Sequence, residues 1–125
     1  MYLRGSSDFQ KVYRHGKRYE GVLMTAFVLP NNLSHNRLGV TASRKALGNA
    51  VQRNRAKRLL KETFRLKTSS LENLPQTYDW VINAKRRLAS LKVAAAIEEF
   101  ELLLNRVAKA ESKEEESKSP GVGNT

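Results

Sequence analysis

A chain of 125 residues with 40% hydrophobic content has room for one domain with one modest core. It has no cysteine, which excludes disulfides and thiolate metal sites and suits a reducing cytoplasm; its longest apolar run, Val22 to Leu29, is too short to span a bilayer. Formal net charge is +11, from 23 basic and 12 acidic side chains, so a polyanion is the expected partner, nucleic acid before an anionic membrane surface.

In chain order, no apolar stretch follows Arg4, so a secretory leader is not expected. Ser7-Asp8-Phe9-Gln10 has the form of a capping box. With Phe9, Val12 and Tyr13 at helical spacing and Gly16 as a stop, it predicts a helix over about 8–15. Tyr19 to Leu29 reads as one strand. Tyr19, Leu23, Thr25, Phe27 and Leu29 would share one face, and Val22, Met24, Ala26 and Val28 the other, so its second half should be covered on both sides. Pro30 through Asn36 is a loop by composition, and Arg37–Ala42 a second strand antiparallel to the first. Asn49 is placed to cap a helix that continues through Lys67. Ala56, Leu59, Leu60, Thr63 and Leu66 fall on its inner stripe with Phe64 at the edge; Arg53, Asn54, Lys57, Arg58, Lys61 and Arg65 lie outside. Tyr78–Ala84 reads as a third strand, with Trp80 in the core. Ser90 is placed to cap a last helix over about 91–109, whose Ile97, Phe100, Leu104 and Val107 face inward. From Glu111 to Thr125 there is one aliphatic residue, Val122, which predicts a disordered charged tail beyond a domain of residues 1–110. The order helix, strand, strand, helix, strand, helix implies a single layered α+β domain with part of one sheet face left open.

The chemistry concentrates in residues 44–67, which hold nine basic side chains (Arg44, Lys45, Arg53, Arg55, Lys57, Arg58, Lys61, Arg65, Lys67) and one acid, Glu62. Helical neighbours four apart sit roughly 6 Å from one another. Arg53, Lys57 and Lys61 therefore form a cationic row at the spacing of phosphates along a strand. Such a row repels itself on a bare helix and is relieved by a phosphate backbone, which Arg grips with two parallel hydrogen bonds and Lys as a point charge.

Ser43-Arg44-Lys45, Gly48-Asn49-Ala50-Val51, Arg53-Asn54-Arg55 and Lys57-Arg58 resemble the signature of the bacterial ribonuclease P protein family. The likeness extends to Asp8-Phe9-Gln10 with Val12-Tyr13 and Gly16, to Arg37-Leu38-Gly39-Val40 and to Tyr78-Asp79, and covers roughly residues 4–108. The resemblance implies a left-handed βαβ crossover, where general rules alone would favour a right-handed one. It implies a protein subunit of an endoribonuclease whose chemistry belongs to a catalytic RNA, with Mg²⁺ at the RNA site and no cofactor held by the protein. Its partners would be that RNA and pre-tRNA. The residues implied for RNA contact are Arg44, Lys45, Asn49, Arg53, Asn54, Arg55, Lys57, Arg58, Lys61 and Arg65. Those implied for the single-stranded 5′ leader are Phe9, Tyr13 and Phe27; exposed aromatics beside cations are the usual platform for unpaired bases. The chain departs from the family at its short basic N-terminus, Met1-Tyr2-Leu3, and at Asn83, which stands where an aliphatic strand residue is usual and needs partners if buried.

Two rivals bear on this reading. An autonomous metal-dependent nuclease would need clustered carboxylates or imidazoles. The acids show no Asp-x-Asp and the histidines no His-x-x-x-His spacing; Glu98, Glu99 and Glu101 read as the solvated face of the last helix, and His15 and His35 as surface residues. No catalytic and no metal-binding residue is therefore expected in the protein. A non-catalytic ribosome- or tRNA-associated protein would share the charge. The chain is expected to be cytoplasmic, off the membrane, and monomeric without RNA.

Overall fold

The computed structural model describes residues 2–117, with side chains through Ser112. Its elements are α1 (Gly5–His15), β1 (Lys17–Glu20), β2 (Met24–Pro30), β3 (Arg37–Thr41), α2 (Arg44–Leu47), α3 (Ala50–Leu66), α4 (Thr68–Glu72), β4 (Tyr78–Ala84), a 3₁₀ turn (Arg86–Ser90) and α5 (Val93–Ser117). The strands form one mixed sheet in the order β1-β2-β4-β3, with β2 and β4 antiparallel and β3 and β4 parallel. The segment α2–α4 is thus the crossover of a βαβ unit. β3 runs opposite to β2, as expected, but β4 lies between them.

The alternation of side chains along each strand sorts two cores onto the two sheet faces. On one face Met24, Ala26, Val28, Leu38, Tyr78, Trp80 and Ile82 pack against Ala56 and Leu60 of α3 and Phe100, Leu103 and Val107 of α5. Trp80 is fully buried in that core, where its ring meets Phe100 at 5.8 Å and Phe64 at 5.9 Å between centroids. Its Nε1 donates to Asn36 Oδ1 at 3.2 Å, which removes the cost of burying an indole N–H. On the other face Val12 of α1 joins Leu3 and Val81, with Phe9, Phe27 and Leu29 around them.

Several expectations are corrected. The helix expected over about 8–15 begins at Gly5, so Ser7 lies inside it and no capping box forms. Asp8 instead reaches back, accepting from the Arg4 N–H at 3.4 Å. The strand expected over Tyr19–Leu29 is a hairpin of two. The cause lies far away in sequence: the Glu99 carboxylate accepts the consecutive N–H groups of Val22, Leu23 and Met24 at 2.8–3.0 Å, which takes residues 22 and 23 out of the ladder. Glu99 is therefore a structural anchor, not part of a solvated face. The hairpin also sets Tyr19 opposite Ala26, on the sheet face away from Phe27. Leu66 is 47% exposed, because Leu71 of α4 and Phe64 fill the core at that end of α3. Ser90 does not cap α5; its hydroxyl donates to the Arg87 carbonyl at 3.0 Å, inside the 3₁₀ turn.

The boundary placed at residue 110 is not where the fold ends. α5 continues to Ser117, and Glu111 is only 4% exposed. Its carboxylate accepts from Tyr78 Oη at 2.9 Å and Gln76 Nε2 at 3.2 Å and lies 3.5 Å from Lys17 Nζ. The remainder of the expected tail, 118–125, lies outside the described residues.

Candidate nucleic-acid interface

The segment between β3 and α3 is built by two local caps. Ser43 Oγ accepts the Ala46 N–H at 3.1 Å and starts α2, leaving Arg44 and Lys45 exposed. Gly48 follows at φ +72°, a left-handed position where a side chain would be strained. Asn49 Oδ1 then accepts the Gln52 N–H at 2.9 Å and starts α3. The amide oxygen of Asn49, assigned to RNA contact on sequence grounds, is thus occupied by the cap.

With Ala56, Leu60 and Thr63 buried, α3 turns Asn54, Arg58 and Lys61 fully outward, and Arg53 and Lys57 partly so. Val51, Asn54, Lys57, Arg58 and Lys61 line one shallow groove. Lys61 Nζ also lies 5.2 Å from the ring centroid of Tyr2, a cation–π contact with the N-terminal segment.

Not every base in the stretch belongs to this surface. Arg55 turns toward the 3₁₀ turn, where Nε donates to the Ala89 carbonyl at 2.6 Å and a terminal nitrogen to Leu91 at 3.3 Å. Arg65 makes two hydrogen bonds to Glu62, at 2.6 and 3.0 Å. These bonds hold the Glu62 carboxyl below its ordinary range and the Arg65 guanidinium above its own. Lys67 pairs with Glu101 at 3.2 Å. Arg44, Lys45, Arg53, Lys57, Arg58 and Lys61 have no acidic partner among the described residues.

Sequence reading missed two further cations. Arg86 Nε donates to the Ala46 carbonyl at 3.3 Å, which seats the 3₁₀ turn beside α2 and brings exposed Arg86 and Arg87 near Arg44 and Lys45. The run Lys85-Arg86-Arg87 was the available signal, but its distance from α3 along the chain hid it. Lys85 itself is held by Glu20 and by the Gly21 carbonyl at 2.5 Å.

Phe9, Tyr13 and Phe27 come together on the opposite sheet face. Phe9 is half-buried over Gly39, where an added Cβ would sit 2.5 Å from the ring. Tyr13, 39% exposed, meets Phe27 edge to face with centroids 4.8 Å apart. The Tyr13 hydroxyl donates to Asn83 Oδ1 at 2.8 Å and the Thr41 hydroxyl to the same atom at 2.6 Å. The Asn83 amide oxygen thus has two donors, and this polar cluster lies beside the aromatic pair.

The carboxylates are largely committed to the fold. Asp79, buried under α1, is held by Arg37 at 2.7 and 2.8 Å and by Asn31 at 2.9 Å. Burial raises its pKa, but the hydrogen bonds from Arg37 and Asn31 and the Arg37 charge more than offset this, leaving it below the ordinary value. Among the described residues no group of three or more His, Cys, Asp or Glu could hold a metal ion, and no helix is long and apolar enough to cross a membrane.

Comparison with known proteins matches residues 1–108 to the family described as Ribonuclease P. The ribonuclease P protein component of Caldanaerobacter subterraneus subsp. tengcongensis is 38% identical over 112 residues, covering 90% of this chain and 93% of the relative. That of Natranaerobius thermophilus is 38% identical over 98 residues, 78% of this chain and 82% of its own. Among solved structures, the Staphylococcus aureus RNase P protein superposes with a TM-score of 0.72 at 26% identity, over 85% of this chain and 94% of that one. The Thermotoga maritima RNase P protein gives 0.73 at 26%, over 85% and 96%.

Proposed function

The chain belongs to the bacterial ribonuclease P protein component family, whose members bind RNA and serve pre-tRNA processing, and from that premise we propose how its two surfaces divide the work. The outer face of α3, with α2 and the neighbouring 3₁₀ turn, grips phosphates of the catalytic RNA. The aromatic groove beneath α1 holds the single-stranded 5′ leader of pre-tRNA, with Tyr13 and Phe27 as its stacking surface and Phe9 supporting them from the small core. Cleavage that yields the mature tRNA 5′ end belongs to the RNA, with Mg²⁺ at the RNA site; the protein contributes position and charge. It acts in the cytoplasm and is a monomer until it meets RNA.

The observation that carries this reading is the contrast in charge pairing. Arg18, Arg37, Arg65, Lys67 and Lys85 each have a carboxylate partner, whereas Arg44, Lys45, Arg53, Lys57, Arg58 and Lys61, clustered on α2 and α3, have none among the described residues. A concentrated field of unmatched charge attracts a polyanion and raises its association rate. The test is reconstitution with ribonuclease P RNA at low Mg²⁺. The reading requires pre-tRNA cleavage that RNA alone does not achieve there. A ribosome- or tRNA-associated binding protein would leave the precursor uncut.

A further inference from the structure

An amide and two hydroxyls lie beside the Tyr13–Phe27 pair on the α1 side of the sheet. Asn83 lies on β4 opposite Thr41 of β3, and on the face covered by α1 it also meets Tyr13. Its side chain has one acceptor and two donors. The 2.6 Å contact to the Thr41 hydroxyl is short for an N–H···O bond and ordinary for O–H···O, so the amide oxygen faces the two hydroxyls. Both hydroxyls therefore donate to Oδ1. Nδ2 has no protein acceptor among the described residues, and no buried side-chain polar atom is without a partner, so Nδ2 reaches solvent. A half-buried amide thus shows the groove its donor end only, locked by two hydrogen bonds, next to the aromatic pair of Tyr13 and Phe27.

We propose that Asn83 is a specificity-determining residue for the 5′ leader: its fixed Nδ2 donor meets the exocyclic group at pyrimidine C4 or purine C6, and so selects uracil or guanine, which carry a keto oxygen there, over cytosine or adenine, which carry an amino group. This rests on the reading of the Tyr13–Phe27 groove as the leader site. The logic follows from the edges of unpaired bases, which proteins read by stacking one face and hydrogen-bonding the rim. An asparagine with both ends free grips adenine through N6–H and N7 at once. Here Oδ1 is occupied, so that bidentate pairing is closed and an exocyclic amino group meets a donor. Thr41 and the Tyr13 hydroxyl are positioning residues, since they set which end of the amide faces the RNA.

The experiment uses holoenzyme reconstituted with ribonuclease P RNA and pre-tRNAs in which each leader position in turn carries U, C, G or A. At one position the wild-type protein should favour U over C and G over A by about three- to tenfold, the worth of one neutral hydrogen bond. Asn83→Leu should bring both ratios to about one, leaving affinity for a leaderless substrate unchanged. Tyr13→Phe with Thr41→Val releases Oδ1 and should move the preference toward adenine, a result that a purely structural Asn83 would not produce. Melting curves accompany each variant. If leader length affects wild-type affinity but no position shows keto preference, or Asn83→Leu retains it, the proposal is overturned while the leader groove stands. If leader length has no effect in the wild type, the groove reading fails first, and this inference with it.

Discussion

Glu111 offers a direct test of where the domain ends. Tyr78 is fully buried and its hydroxyl donates to Glu111 Oε1 at 2.9 Å, with Gln76 Nε2 on the same oxygen at 3.2 Å. Replacing Glu111 with Ala removes the carboxylate that accepts from the buried Tyr78 hydroxyl and from Gln76, which costs about 1–3 kcal/mol. For a domain of this size 1 kcal/mol corresponds to roughly 4 °C in melting temperature, so the expected drop is about 4–12 °C. Truncation after Ala110 removes the same carboxylate and should lower the transition at least as far. Removing both ends of the bond together, Tyr78→Phe with Glu111→Leu, should recover much of the loss, because a buried hydroxyl without a partner costs more than a missing bond. Calorimetry of the four proteins decides the matter. A chain ending at Ala110 that melts within a degree of the full chain would refute the anchor and restore the boundary at residue 110.

Replacing Arg53, Lys57 and Arg58 with Ala should flatten the plot of log affinity against log salt for ribonuclease P RNA by about 2–3, since each neutralised phosphate contributes roughly 0.7–0.9; an unchanged slope would remove α3 from the interface. Tyr13→Ala and Phe27→Ala should weaken pre-tRNA binding by about 1–3 kcal/mol while sparing mature tRNA, and equal losses for both substrates would place the groove elsewhere. Asp79, held below its ordinary carboxyl pKa, contributes stability that is complete above that value and fades as pH falls through its folded one. Arg37→Met should therefore destabilise the protein at neutral pH and move acid unfolding to higher pH, the gap to wild type closing as pH falls below the ordinary carboxylate range; a pH-independent gap would show that packing, not charge, was lost.

What was legible in the sequence was what neighbours along the chain decide. Tyr78–Ala84 is a strand to the residue, because apolar side chains alternate there and both faces are covered. Asn49 caps α3 because its partner, Gln52, is three residues away. The hairpin at 20–24 was not legible, since a local reading of Tyr19–Leu29 sees unbroken strand propensity. The break is imposed by Glu99, some 75 positions further on. Glu111 escaped notice for the same reason: a glutamate in a charged run looks solvated until Tyr78 and Gln76 are brought against it. Within the site, residue types showed where cations concentrate, yet Arg55 could be separated from Arg53 and Arg58 only by the carbonyls of Ala89 and Leu91.

The basic helix also connects stability to binding. Arg53, Lys57 and Lys61 repel one another along α3 by a few tenths of a kcal/mol per pair, and no acid among the described residues relieves them. The helix nevertheless persists, because Asn49 caps its start and Ala56, Leu60 and Thr63 are buried beneath it. A polyanion on the outer face removes the repulsion and adds its own binding free energy to the folded state alone. The fold therefore tolerates a standing electrostatic cost on the surface where its partner is bound. Neutralising these cations would thus relieve the free protein while weakening its hold on RNA, a divergence that core-damaging substitutions, which lower both, would not show.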